Sequence, residues 1–252
     1  MLRTFWAVLC LVAAGWPAEA AGLRVVNAAS YASGLAPSAI ATAFGSDLAV
    51  ASAATAVTVE DATGTARAAT LVYAYPTQAA FVIPSGTAAG SAVVTVTSGD
   101  GTVSTAAVTI GIVAPGLFTA AASGAGVAAA IALEGQNAAL IFSCAAAQGC
   151  TALPVGLNQT TLELYGTGIR GYRSGVSCTV GGVAAPVTYA GAQSQYAGLD
   201  QVNISLPNSL ANQGLLDIVL TVDGQTANTV TINSSGADYY VAIDGRKTRA
   251  AA

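Results

Sequence analysis

Apolar and polar residues alternate with a period of two along much of this chain. The pattern is plain in Thr55-Ala56-Val57-Thr58-Val59-Glu60, Ala92-Val93-Val94-Thr95-Val96-Thr97, Thr161-Leu162-Glu163-Leu164-Tyr165 and Val202-Asn203-Ile204-Ser205-Leu206. Successive side chains of a strand point to opposite faces, so this alternation predicts strands with one face buried. Turn residues interrupt the strands about every 10 residues, the spacing of an all-β sandwich. Asp100-Gly101 and Asp223-Gly224 predict hairpin turns, because glycine accepts the positive φ that a tight turn requires. Pro84 and Pro207 predict strand ends, since proline cannot donate to a ladder. The alanine-rich stretch 120–130 predicts a helical turn at most, because Gly124 and Gly126 oppose a longer helix.

The second half of the chain repeats the order of the first. Phe81-Val82-Ile83-Pro84, then Ala92–Val96, the Asp100-Gly101 turn and Ala107–Ile110, are matched by Asn203–Pro207, Asp217–Val222, the Asp223-Gly224 turn and Thr229–Ile232. The interval from Pro84 to Ile110 is 26 positions, and from Pro207 to Ile232 it is 25. A unit this long is too large for a solenoid repeat and suits a small β-sandwich. The sequence therefore predicts two tandem immunoglobulin-like β-sandwich domains, at 22–113 and 156–235. An irregular connector at 114–155 carries a hairpin and a cysteine loop, and a tail runs from 236 to 252. Within the tail, Tyr239–Ile243 offers an edge strand.

Some segments carry a family resemblance. Asn27-Ala28-Ala29-Ser30-Tyr31 and the run Leu35–Ala49 resemble the opening of the uncharacterised Solibacter-type C-terminal domain family of secreted bacterial proteins. Ala114-Pro115-Gly116-Leu117-Phe118 is similar to that family's mid-region signature. Leu164-Tyr165-Gly166-Thr167-Gly168, Val180–Ala185, Tyr189-Ala190-Gly191 and Asp200-Gln201-Val202-Asn203 are similar to its second half. The match spans residues 24–233 in order, and departs from the pattern at the cysteine loop and around Val59–Ala68. The resemblance implies sandwiches of the IPT/TIG type and export, and it implies no activity.

Residues 1–20 have the form of a cleaved secretory signal peptide. Arg3 precedes an apolar run from Phe5 to Ala14, and Ala18-Glu19-Ala20 fits the small-x-small cleavage site. That run is shorter than the ~20 residues of a spanning helix. The mature chain should then be secreted or held at the cell surface, without a membrane span. Cys10 would leave with the signal. Of the other cysteines, Cys144 and Cys150 bracket a short loop and are the favoured disulfide, with Cys178 a buried free thiol; the odd number leaves other pairings open.

Charged residues are 8% of the sequence, against ~25% in a typical domain, so Ser, Thr, Asn and Gln must supply the polar surface. The net charge of −4 gives no footprint for nucleic acid. The chain contains no histidine, which removes Ser-His-Asp, Cys-His and histidine-zinc chemistry. Its one lysine, Lys247, lies in the tail. Gly124-Ala125-Gly126-Val127-Ala128-Ala129 matches a dinucleotide fingerprint as a string, but the strand and helix that fingerprint needs are not signalled.

Carboxylates could still serve a glycosidase, which needs two. Asp61, Asp100 and Asp223 read as turn residues, while Glu60, Glu163 and Asp217 read as solvent-facing strand positions. Asp47, Asp200 and the Glu60-Asp61 pair are the donors a calcium ion would use, against the plainer reading of solvated acids. No pair is drawn into one cleft by sequence. Tyr73 and Tyr75 share a strand face, and Tyr172, Tyr189 and Tyr196 fall in loops or at strand ends. These five tyrosines form the tentative ligand surface; filling the core edge is the competing role for them. The expectation is a non-catalytic structural or binding module without cofactor or metal, whose ligand the sequence does not name; an extracellular glycan or protein is the candidate partner. A carbohydrate-binding module and a carboxylate-based hydrolase are the alternatives.

Overall fold

A computed structural model describes residues 22–146, 149–157 and 159–235. The proposed signal peptide, the tail and the edge strand expected at Tyr239–Ile243 lie outside these residues. The described chain is nearly all β, with one short 3-10 turn at Asn208–Leu210. The strands are β1 (Arg24–Asn27), β2 (Gly34–Leu35), β3 (Ile40–Phe44), β4 (Ala56–Glu60), β5 (Ala66–Ala68), β6 (Thr70–Tyr75), β7 (Gln78–Val82), β8 (Gly90–Thr97), β9 (Val103–Ile110), β10 (Gly116–Leu117) and β11 (Ala130–Glu134). They continue as β12 (Asn137–Leu140), β13 (Phe142–Ala145), β14 (Gly149–Ala152), β15 (Thr161–Thr167), β16 (Val176–Val180), β17 (Val183–Ala185), β18 (Val187–Ala192), β19 (Asp200–Ser205), β20 (Leu215–Val222), β21 (Gln225–Thr226) and β22 (Val230–Asn233).

Two sheets, ordered β1-β3-β7-β6 and β2-β9-β8-β4-β5, enclose one core. Val57 and Val59 point inward from β4 while Ala56, Thr58 and Glu60 are exposed, as the alternation predicts. They meet Phe81, Ile83, Val94 and Val96. Burying a side chain of this size contributes about 1.5–3 kcal/mol. Two further sheets, β12-β11-β15-β19-β18 and β17-β16-β20-β21 with β22 on β20, enclose a second core that includes Leu162, Leu164, Leu206 and Leu220. The orders β1-β3-β7-β6 and β11-β15-β19-β18 correspond, as do β9-β8-β4-β5 and β22-β20-β16-β17. The repeat in sequence is thus a repeat in topology.

The stretch read as an irregular connector is tied into the second pair of sheets. β10 and β11 both pair with β15, and β12 pairs with β11. Residues 120–127 form turns instead of a helical turn, with Gly124 and Gly126 at positive φ, so the dinucleotide string has no helix to follow it. β13 and β14 form a separate hairpin in which Cys144 and Cys150 sit directly opposite each other and are disulfide-bonded. Cys178 is buried and free on β16, and burial pushes its thiol pKa up to about 12.

A third apolar cluster joins the two halves. Ala29 and Ile40 meet Phe118, Ala129, Ile131, Tyr165 and Leu199, with Val82 packed beside them. Around it lies a set of buried hydrogen bonds. Asn27 Nδ2 donates to the Ala114 carbonyl over 2.8 Å, and the Ile40 N–H donates to Thr167 Oγ1 over 2.7 Å. Thr167 Oγ1 in turn donates to the Gly198 carbonyl over 2.7 Å. Glycine is required at two places here. A Cβ on Gly168 (φ +73°) would lie 2.2 Å from the Ala114 oxygen, and one on Gly198 (φ +80°) would lie 2.6 Å from Ile40 Cγ1. Asn27, Ala114, Phe118, Tyr165 and Thr167 thus come together at the junction.

Candidate functional site

Any catalysis by this chain would rest on its acids. Asp200 is fully buried at the head of β19. Its carboxylate accepts the Ile169 N–H over 2.7 Å and the Arg170 N–H over 3.2 Å, and pairs with the Arg170 guanidinium. Burial raises the Asp200 pKa, and Arg170 and the two backbone donors oppose that rise. Asp61 is a turn residue, as expected, but it is buried. It accepts Thr63 Oγ1 at 2.6 Å and the N–H groups of Thr63 and Ala88 at 3.0 and 2.9 Å, and it pairs with Arg67. The Thr63 hydroxyl leads the effects that hold this carboxyl well below the usual range. Asp223, in the β20–β21 turn at φ +49°, accepts the N–H groups of Arg173, Ser174 and Gly175, which lowers its pKa. Each of these three carboxylates closes a loop.

The donors considered for calcium do not converge. Asp61 and Asp200 are occupied as described, while Glu60 and Asp47 face solvent. Among the described residues no three His, Cys, Asp or Glu side chains gather at one point.

Tyr73 and Tyr75 do share a face of β6, an edge strand. Their rings are 5.5 Å apart and inclined at 44°, and Gln78 Nε2 donates to the Tyr73 hydroxyl. Tyr75 is 53% exposed. Tyr172 is exposed in the loop after β15. Tyr196 lies in the β18–β19 loop and packs against the junction cluster, the core-edge role. Tyr189 is on β18 and 43% exposed.

Around Tyr189 the sheet supplies further polar groups. Leu162, Leu164, Val202 and Ile204 point into the core, so Glu163, Tyr165, Gln201 and Asn203 lie on the outer face. Asn203 stands opposite both Glu163 and Tyr189, and Gln201 opposite both Tyr165 and Gly191. Gln201 Nε2 donates to Glu163 Oε1 at 3.1 Å and to Asn203 Oδ1 at 2.9 Å. The Tyr165 hydroxyl donates to Glu163 Oε2 at 3.4 Å; burial first, then the Glu163 charge, raises the tyrosine's pKa. Glu163 is thus half-buried in a network, where the alternation alone placed it in solvent. The sequence reading also missed Gln201 and Asn203; their alternation with Val202 and Ile204 was the available signal.

The Tyr189 ring is held against its own strand. A Cβ on Gly191 would lie 3.0 Å from the Tyr189 hydroxyl oxygen and 3.3 Å from Cζ, so the phenol end lies over that glycine. The hydroxyl donates to the Ala192 carbonyl at 2.6 Å.

No protein-family model matches the sequence, and no curated protein matches it. Among solved structures, the chain is similar to SGBP-B of the Bacteroides ovatus mixed-linkage glucan utilization locus, solved with a mixed-linkage heptasaccharide. The TM-score is 0.36 and the identity 17% over 94% of this chain, which spans 52% of the other.

Proposed function

We propose that this protein is an exported, non-catalytic binding module that presents a ligand surface on a two-sandwich frame. One observation carries the reading. The buried acids Asp61 and Asp200 and the turn acid Asp223 are engaged by loop-closing donors, while Tyr75, Tyr172 and Tyr189 keep ring surface in solvent. Acid–base catalysis by carboxylates needs a raised pKa on one of a facing pair. Asp200 is raised by burial, but its partner is an arginine that it holds in a structural ion pair. The Cys144–Cys150 bridge fits an oxidising compartment outside the cytosol, in keeping with the signal-like first twenty residues. The ordered motifs support a place in the Solibacter-type family of secreted proteins. Arraying the purified mature protein on glycans and matrix proteins tests the reading. Retention of a discrete ligand class without its breakdown is expected, and turnover of any arrayed polymer would overturn it.

A further inference from the structure

We propose that, on the outer face of the β12-β11-β15-β19-β18 sheet, the part formed by β15, β19 and β18 is a glycan-binding surface, on which Tyr189 stacks against an uncharged pyranose ring and Gln201, Asn203 and Glu163 bond its hydroxyls. The inference rests on the binding-module reading and gives it a site and a ligand class.

Tyr189 is built for stacking. Gly191 leaves room for the ring to lie along the strand, and the bond to Ala192 fixes its far end. A ring already fixed loses little freedom when it binds. The polar groups are spaced by the sheet itself. Asn203 and Glu163 follow Tyr189 across two adjacent strands, ~4.8 Å apart per step. Gln201 spends both amide hydrogens on its neighbours, which fixes the network and leaves the Gln201 carbonyl and the Asn203 amide group to a ligand. A fixed aromatic face beside a planar acceptor–donor array suits a sugar ring, which has an apolar face and a rim of hydroxyls.

Charge narrows the class. None of the five strands carries an arginine or lysine, so a phosphate or sulfate would meet the Glu163 carboxylate without a counter-charge. A protein partner would want an apolar centre. The large apolar residues of this face, Ile131, Leu133 and Leu140, are already taken into the junction cluster.

Native gel electrophoresis of the mature protein through soluble neutral polysaccharides (xylan, β-glucan, galactomannan), with polygalacturonate as the anionic control, tests the proposal. At least one neutral polymer should retard the protein. Tyr189→Ala should weaken retardation by about tenfold or more, the effect of losing an aromatic anchor. Gly191→Val, which displaces the ring and keeps every polar group, should do the same, whereas Tyr189→Phe should retain most of the binding. Thermal melts check that each variant is folded. Retardation that survives Tyr189→Ala, or that is lost in Tyr75→Ala, refutes this site and leaves the binding-module reading standing. Retardation by polygalacturonate alone, or by none of the polymers, refutes the neutral-glycan class. Breakdown of a polymer in the gel refutes the reading beneath it.

Discussion

Thr167 and Ile40, 127 residues apart in the chain, are joined by a buried 2.7 Å hydrogen bond from the Ile40 backbone N–H to the Thr167 hydroxyl oxygen. The same hydroxyl donates to Gly198, so one side chain ties β3, β15 and the β18–β19 loop together. With Asn27 bonded to Ala114, this makes the junction a fixed element of the fold. Removing the hydroxyl in Thr167→Val would orphan a buried N–H, which costs about 1–3 kcal/mol. Urea unfolding should show that loss, and Thr167→Ser should recover much of it. Equal midpoints for the valine variant and the parent would mean that the bond contributes nothing.

Asp61 gives the fold an acid-sensitive link. Its folded pKa lies below the unfolded one, so its contribution is present above the unfolded value of ~4 and is lost as pH falls towards the folded value. Asp61→Asn should therefore be less stable than the parent at pH 7, with the gap narrowing between about pH 5 and pH 2. Urea midpoints for both proteins across that range decide it. A gap that stays constant would show that the carboxylate's charge is immaterial.

The cysteines should behave as two kinds. Thiol titration of denatured, unreduced mature protein should find a single reactive group, Cys178. In the native protein that thiol should resist alkylation at pH 8, because it is buried and its pKa is raised. Rapid native labelling of Cys178 would contradict the packing of β16. Replacing Cys144 and Cys150 by alanine should cost about 2 kcal/mol at most, since the bridge closes a short loop.

Much of the fold was legible because strand alternation and turn chemistry are local. Val57 and Val59, or Ile218 and Leu220, declare their buried face within five residues, and Asp223-Gly224 declares its turn within two. The disulfide was the favoured pairing because Cys144 and Cys150 bracket a short loop, and the facing positions of β13 and β14 close it. The junction was not legible. Asn27, Thr167 and Gly198 carry no local sign of these contacts, which arise only when distant backbones approach. Asp200 illustrates the same limit. An acid ahead of a strand reads as solvated until Arg170, thirty positions away, is folded onto it. The tyrosines could be named as a group, but only the sheet register separates Tyr189, set in a polar row, from Tyr196, packed into the junction.

In the proposed mode the molecule binds through the outer face carrying Tyr189 and Glu163 and does no chemistry there. The most direct measurement is titration calorimetry of the mature protein with oligosaccharides cut from whichever neutral polymer retards it, with reducing ends assayed in the same cell. Saturable heat that is lost in Tyr189→Ala is expected, with reducing ends constant over hours. A steady rise in reducing ends that is abolished in Glu163→Gln would contradict the proposed mode.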